Sequence, residues 1–260
     1  MAGQVRVEIE GHIGWLIFDN PEKRNAVSMS MWQAIPPAAA RLTADPAVRV
    51  VVLRGAGETA FVAGADISEF EGNRAAEGAR AYDEANAAAF TALAQLPMPT
   101  ISMLHGFCVG GGVAVAISTD LRYAADDLRT GIPAARLGLG YGAAGIDTLI
   151  RLVGPSAAKE IFYTAKLYSA DEALRIGLVN AVTPKAELEA FVRRTAERIA
   201  ANAPLTIRAV KLAAAELAKA PERRDHDAVN AAIAECYRSD DYREGVRAFM
   251  EKRPPVFQGR

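Results

Sequence analysis

The chain has no excess of charge of either sign, because its 30 basic residues are matched by 31 acidic ones. A nucleic-acid-binding protein usually carries a clear basic excess, so this class is not expected. The sequence also lacks an uninterrupted apolar run of membrane-spanning length, and its first residues do not have the basic-then-apolar form of a signal peptide. We therefore expect a cytoplasmic protein with neither a nucleic-acid nor a membrane partner.

Cysteine is scarce, and the two that occur do not form a metal-binding pattern. Cys108 and Cys236 lie far apart in a chain of 260 residues. This predicts reduced, structural thiols and no metal site. No basic residue in a matching pattern accompanies Cys108, so a small thiol that fills buried space is expected there rather than a nucleophile.

The residues that are present predict an α/β fold. Apolar strand-like runs at 48–54, 100–104 and 121–125 alternate with helical stretches such as 78–96. A hairpin is predicted over residues 5–18, and a helix over 30–42 that Pro36 and Pro37 should disturb. Few strand-like apolar runs occur after residue 157. We therefore expect a core domain over 1–203 and a helical region over 204–260.

Three successive glycines mark the first candidate site. In PTISMLHGFCVGGGVAVA, Gly110, Gly111 and Gly112 stand between a strand-like run and a helical run. Glycine lets a ligand approach the backbone closely, and the first N–H groups of a helix have no partner inside it. The junction is a candidate oxyanion hole. A tightly packed core helix of small residues remains the alternative.

A second glycine-containing turn follows the 48–54 strand. In GAGETAFVAGADISEF, the residues Gly64, Ala65 and Asp66 stand ahead of a predicted short helix. The N–H of Ala65 could donate to the same oxygen as that of Gly111. The alternative is a tight loop that only ends the strand.

Taken together, the two motifs resemble the crotonase superfamily, that is, the enoyl-CoA hydratase/isomerase family. NPEKRNAV at 20–27, SADEALRIGLVN at 169–180 and YREGVRAFMEK at 242–252 are similar to further segments of that family. The resemblance implies a crotonase-like spiral of ββα units with a helical C-terminal trimerisation region, in a homotrimer or homohexamer. It implies an acyl-CoA thioester as substrate, no cofactor beyond its CoA moiety, and donation from Ala65 and Gly111 to the enolate oxygen.

The same resemblance implies a CoA-binding set. The residues implied to line the CoA nucleotide and pantetheine are Lys23, Arg24, Ala26, Ala63, Asp66 and Ile67. Phe249 and Lys252 are implied to reach the CoA of a neighbouring subunit. For the charged members of this set, a solvated surface position is the alternative.

The chain departs from the hydratase pattern at two positions. Where a hydratase of this family has its two glutamates, this sequence has Ala114 and Ala134. A methyl group can neither activate water nor deliver a proton, so hydration by the usual pair is not expected. The backbone donors survive such replacement, and an enolate could still be stabilised.

Tyr141 is the strongest candidate for a catalytic side chain. Its loop, RLGLGYGAAG, resembles that of the methylmalonyl-CoA decarboxylase branch, in which a tyrosine contacts the substrate carboxylate. That branch keeps a glutamate where Ala114 stands here. A phenol could orient a carboxylate or donate a proton, and covering an apolar pocket is the alternative.

Weaker polar candidates are expected to be structural. His105 is predicted to cap backbone, and Asp147 to favour a helix N-terminus. The remaining charged candidates, expected to be mostly solvated, are Glu69, Glu71, Arg74, Arg80 and Asp83.

Three hypotheses about function follow. The first is an enolate-forming acyl-CoA enzyme, a decarboxylase or isomerase. The second is an ordinary enoyl-CoA hydratase with an unidentified acid–base group, and the third is a non-catalytic acyl-CoA binding protein. In the sequence, only Tyr141 discriminates among them.

Overall fold

The computed structural model describes residues 3–66 and 76–260. The strands are β1 (Gln4–Glu10), β2 (Ile13–Asp19), β3 (Val50–Gly55), β4 (Ala60–Val62), β5 (Thr100–Leu104), β6 (Phe107–Val109), β7 (Leu121–Ala125), β8 (Arg129–Gly131), β9 (Tyr168–Ser169) and β10 (Ala181–Thr183). The helices are α1 (Met29–Ala44), α2 (Ala76–Ala94), α3 (Gly111–Ile117), α4 (Ala143–Thr164), α5 (Ala170–Arg175), α6 (Lys185–Ala200), α7 (Pro204–Leu217), α8 (His226–Arg238) and α9 (Asp240–Met250). Short 3₁₀ turns occupy Pro21–Lys23, Pro133–Leu137 and Pro221–Arg223.

The strands form two sheets, and the chain winds between them. The larger sheet has the order β1-β2-β3-β5-β7-β10, and the smaller has the order β4-β6-β8-β9. Each turn of the chain adds one strand to the larger sheet and the next strand to the smaller one, as β3 and β4 do, then β5 and β6, then β7 and β8. Helices follow these strand pairs. The predicted α/β spiral of ββα units is confirmed.

The larger sheet is buried on both faces, as the apolar run at 48–54 predicts. In β2, Leu16 and Phe18 face one core cluster with α1 and α3, whereas Trp15 and Ile17 face a second cluster with α6. A strand covered on both sides has no solvent face, which explains why these strands read as continuous apolar runs.

One predicted detail of the helices changes in the structure. Helix α1 runs from Met29 to Ala44 through Pro36 and Pro37 without a break, since its face with Trp32 and Ile35 is fully buried and packing outweighs the local cost of proline. Helix α4 has non-helical angles at Gly154, with φ 79°, so two helical pieces meet there.

The C-terminal region is helical, as predicted, and is fixed to the core by polar contacts. Lys211 on α7 donates to Met98 O (2.9 Å) and to Asp120 Oδ2 (2.7 Å) beside the larger sheet. Arg49 donates to Phe257 O over 2.8 Å. In the part of the chain described here, no helix is long and apolar enough to cross a bilayer.

Candidate active site

The topology of the smaller sheet brings the two glycine turns together. Strands β4 and β6 are parallel neighbours, and β6 is also parallel to β8. The carboxyl ends of parallel neighbours lie at the same edge of a sheet. Ala65 follows the end of β4 by three residues, and Gly111 follows the end of β6 by two. Both turns therefore lie at one edge, although 45 residues separate them in sequence.

The backbone amides of Ala65 and Gly111 come close at that edge. A Cβ built on Gly111 would lie 3.7 Å from the Ala65 nitrogen. Val27 N donates to Gly64 O (2.9 Å) and Asp66 N to Val27 O (3.0 Å), so the intervening amide of Ala65 points to the other side of its segment. Gly111 is the first residue of α3, where no acceptor exists inside the helix. Within 3–66 and 76–260 neither amide has a hydrogen-bond acceptor.

The neighbouring glycines make this arrangement possible. Gly110 precedes the helix with φ 54°, a conformation that other residues seldom adopt. A Cβ on Gly112 would lie 2.1 Å from Val62 O, so only glycine lets α3 pack this closely on β4. Gly110 N donates to Gly131 O (2.9 Å), which joins the helix start to the end of β8.

The two alanines lie on the elements that flank this edge. Ala114 follows Gly111 by three residues on α3, so the two share one face of the helix. Ala134 follows the end of β8 by three residues, in the 3₁₀ turn Pro133–Leu137. Both alanines are buried, at 7% and 6% exposed. The edge thus carries the amides of two partly exposed residues, and two buried methyl groups at the positions where the resemblance implies carboxylates.

Tyr141 lies in the loop that leads into α4 and is half-buried. Its ring packs edge to face on Phe162, with centroids 4.9 Å apart. Burial raises the pKa of Tyr141 to about 12, and the charge of Tyr82 acts in the same direction. Among the described residues no carboxylate contributes to this shift. The hydroxyl is therefore a neutral donor throughout the neutral pH range.

The structure brings together most of the residues predicted to bind CoA. The 3₁₀ turn Pro21–Lys23 is followed by Arg24 and Asn25, both with positive φ. Ala63 N donates to Arg24 O (3.0 Å), and Lys23 Nζ pairs with Asp66 Oδ2 (2.6 Å). The Arg24 guanidinium lies over the Phe107 ring at 4.8 Å. Ala26 is buried beside this turn.

Asn25 fixes this turn, and the sequence analysis does not single it out. Its Nδ2 donates to Ala56 O (2.9 Å) and to Ala60 O (2.8 Å), while its Oδ1 accepts from Asn20 N (2.9 Å). Asparagine tolerates the left-handed conformation that the position requires. An Asn in a Pro-containing turn is the signal that could have identified it.

Some predicted residues lie elsewhere or outside the described part. Ile67, Glu69, Glu71 and Arg74 lie outside the described residues. Phe249, 82% exposed on α9, borders a groove whose lining all belongs to residues 203–257, and Lys252 follows α9. One chain therefore does not bring these two residues to the Ala65–Gly111 edge.

The weaker candidates have structural surroundings. His105 is buried, and its backbone oxygen accepts from Phe61 N (2.9 Å). Burial, followed by the charge of Lys185, lowers the pKa of the His105 imidazole. Asp147 forms an exposed pair with Arg151, at 2.8 Å. Arg80 pairs with Glu84 on the surface of α2.

Cys108 is a buried structural thiol, as expected. Only 1% of its surface is exposed, and burial raises its pKa to about 12. A thiol that stays protonated at neutral pH is a poor nucleophile. In the described ranges, no group of His, Cys, Asp and Glu side chains could hold a metal ion.

Comparisons with known proteins find relatives over nearly the whole chain. The family model described as enoyl-CoA hydratase/isomerase matches residues 8–260. The chain is 36% identical to the crotonyl-CoA hydratase of Syntrophomonas wolfei, over 96% of each chain. It is equally identical to the short-chain-enoyl-CoA hydratase of Clostridium acetobutylicum, over 96% of this chain and 95% of that one. The crystal structure of an enoyl-CoA hydratase/carnithine racemase from Magnetospirillum magneticum superposes with a TM-score of 0.92 at 37% identity, covering 98% of this chain and 96% of that one.

Proposed function

The chain belongs to the enoyl-CoA hydratase/isomerase family, and we propose that it forms the enolate of an acyl-CoA thioester by decarboxylation. In this proposal the N–H groups of Ala65 and Gly111 donate to the thioester oxygen. Tyr141 supplies a neutral hydroxyl beside the acyl group. One observation carries the proposal: among the described residues the two backbone amides have no hydrogen-bond acceptor, and the neighbouring side chains at Ala114 and Ala134 are buried methyl groups.

Decarboxylation suits a site without the usual carboxylates. The bond between Cα and the carboxylate breaks, CO₂ leaves, and the electron pair becomes the enolate whose oxygen the two amides hold. No base is needed to form this enolate. A proton from water or a hydroxyl then adds to Cα and completes the reaction.

Isomerisation, the other enolate reaction we expect from the sequence, requires a base to remove a proton. Hydration requires both an activated water and a proton donor. The names of the relatives favour hydration, since two of them are hydratases at 36% identity. Ala114 and Ala134 argue against hydration, because a methyl group can neither activate water nor deliver a proton. A non-catalytic acyl-CoA binding protein remains the alternative from another class.

The CoA-binding roles and the assembly are part of the same proposal. We infer that Lys23, Arg24, Ala26, Ala63, Asp66 and Ile67 contact CoA. We infer a core domain over 1–203 and a helical region over 204–260 that builds a homotrimer or homohexamer. The exposed Phe249 supports this inference, because it could then contact the CoA of a neighbouring subunit together with Lys252. A monomer in light scattering at micromolar concentration would contradict the shared site.

The experiment that tests the function is a substrate panel with one purified sample. Methylmalonyl-CoA, a 3-enoyl-CoA and crotonyl-CoA are incubated separately, and the products are separated and weighed by mass spectrometry. The proposal predicts CO₂ loss from methylmalonyl-CoA. It also predicts crotonyl-CoA hydration slower by roughly 10² or more than that of a two-glutamate relative. Hydration within about tenfold of such a relative would favour the hydratase. Binding without any turnover would favour the binding protein.

A further inference from the structure

One aromatic side chain, Trp32 on α1, lies against the start of α3. Its ring presents Cζ2 at 3.3 Å, and Cη2 at 3.6 Å, from the position that a Cβ on Gly111 would take. The Ala65 nitrogen lies 3.7 Å from that same position. The indole edge and the Ala65 amide therefore border the same side of Gly111.

The backbone also joins Trp32 to the segment that carries Ala65. Val27 accepts from Asp66 N (3.0 Å) and donates to Gly64 O (2.9 Å), so it is hydrogen-bonded to both neighbours of Ala65. Helix α1 begins two residues after Val27, and Trp32 is its fourth residue. The indole thus comes from a helix whose start is fixed to the segment of one amide, and it reaches the residue that carries the other.

The indole itself is held firmly. Trp32 is only 1% exposed, and Phe90 packs on it edge to face, with centroids 5.4 Å apart. Its Nε1 donates to Tyr82 Oη on α2 over 2.9 Å, which satisfies the buried N–H. A ring fixed in this way acts as a spacer of constant size between the start of α1 and the start of α3.

We propose that Trp32 is a positioning residue that sets the distance between the Ala65 and Gly111 amides. The inference rests on one part of the proposed function, the assignment of both amides to the thioester oxygen. Two donors stabilise one oxygen only when both lie within hydrogen-bond distance of it. A displacement of about 1 Å can cost about 10²-fold in rate, even when its origin is remote from the reacting atoms. Trp32 needs no contact with the substrate for this role.

The test combines two substitutions that act on the same gap. Trp32→Phe keeps a buried ring but removes the two indole atoms nearest Gly111. Gly111→Ala adds a methyl group at the position that those atoms face. The two single variants, the double variant and the wild type are compared in kcat for methylmalonyl-CoA and in Kd for propionyl-CoA, and their thermal unfolding is recorded.

The expected result is compensation. Trp32→Phe should lower kcat by about tenfold, because a gap beside Gly111 lets the start of α3 shift. In the double variant the alanine methyl occupies part of this gap. Its kcat should therefore exceed, by about fivefold or more, the value obtained when the two single losses are multiplied. The Kd of propionyl-CoA should stay within about threefold of the wild-type value, because the ground state depends less on the oxyanion donors.

Leu42→Ala is the matched control for a loss of packing alone. Leu42 is fully buried near the other end of α1, where it lies beside Gly14 of β2. This variant should unfold at a lower temperature than the wild type and keep kcat within about twofold. Single losses that multiply to within about twofold, or an equal loss of kcat in Leu42→Ala and Trp32→Phe, would overturn the inference. A wild type that turns over no methylmalonyl-CoA would instead refute the proposed decarboxylation, and a second measurement then decides about Trp32.

The second measurement requires neither a variant nor a reaction. The chain has two tryptophans, and Trp15 faces the other core cluster, toward α6. Propionyl-CoA should change the indole fluorescence, because its thioester dipole then lies at the amides beside Trp32. Free CoA, which has no thioester, should change it less. Equal changes with both ligands, or no change when calorimetry shows saturation with propionyl-CoA, would overturn the inference.

Discussion

Replacing Gly111 by proline removes one oxyanion donor and deletes no side chain. Gly111 is the first residue of α3, and this is the helical position at which proline is tolerated because its N–H has no partner in the helix. Gly111→Ala is the matched control. It adds the same Cβ, which meets Trp32 at 3.3 Å, but it keeps the N–H. The two variants therefore differ in the N–H donor and in the ring atoms that proline adds.

The expected loss of kcat follows from the number of donors to the thioester oxygen. Two amides, those of Ala65 and Gly111, serve the thioester oxygen in this account. Removing one oxyanion-hole donor typically lowers kcat by about 10²–10³. The proline ring also fills space where the oxygen would lie, so we expect at least this loss relative to Gly111→Ala. The alanine methyl requires the Trp32 ring to move by a few tenths of an ångström, so we expect Gly111→Ala to lose less kcat relative to the wild type than Gly111→Pro does.

The assay is steady-state turnover of methylmalonyl-CoA, together with thermal unfolding of both variants. We expect similar unfolding temperatures for the two and a much lower kcat for Gly111→Pro. Turnover by Gly111→Pro within about threefold of Gly111→Ala, with both folded, would refute the assignment of Gly111 as a donor.

Three further predictions concern the same site. Tyr141→Phe should lower kcat by at least tenfold and leave the Kd for an acyl-CoA nearly unchanged, because the ring still packs on Phe162 and only the hydroxyl is lost. Equal kcat for the wild type and Tyr141→Phe would reject the tyrosine mechanism. Because burial raises the pKa of Tyr141 to about 12, its hydroxyl stays protonated below that pH. Turnover in a wild-type pH series should then show no loss attributable to this group up to about pH 10, and a loss that Tyr141→Phe abolishes would contradict this. Gly112→Ala places a Cβ 2.1 Å from Val62 O and should lower the free energy of unfolding by about 3 kcal/mol in a denaturant titration. Gly142→Ala, which has open space around it, should leave the free energy of unfolding unchanged. Equal stability of the two variants would disprove the close packing of α3 on β4.

The sequence predicts the strands of the larger sheet except β10, and it misses those of the smaller sheet. The run at 100–104 is long and apolar, and the structure has β5 over Thr100–Leu104. The strands β4, β6 and β8 have three residues each, too few to show a hydrophobic period. Their parallel pairing nevertheless brings Ala65 and Gly111 to one edge. From the residues, a shared oxygen for these two N–H groups is one of two alternatives, and the family resemblance is what favours it.

Side chains that act across elements could not be read from the sequence. Trp32 and Tyr82 lie 50 residues apart, and their hydrogen bond exists only because α1 packs on α2. In the 78–96 segment, Tyr82 recurs at helical spacing with Ala85, Ala89 and Leu93, which predicts an apolar face but gives no sign of a partner for its hydroxyl. Phe249 is a different case, because the partner implied by the resemblance is another subunit.

The most direct test of the central claim is a crystal structure with a bound, unreactive acyl-CoA such as propionyl-CoA. The account predicts that the thioester oxygen lies at about 3 Å from both Ala65 N and Gly111 N, with the acyl group directed toward Tyr141. A thioester oxygen that contacts neither amide, or amides that face separate cavities once the ligand is bound, would contradict it.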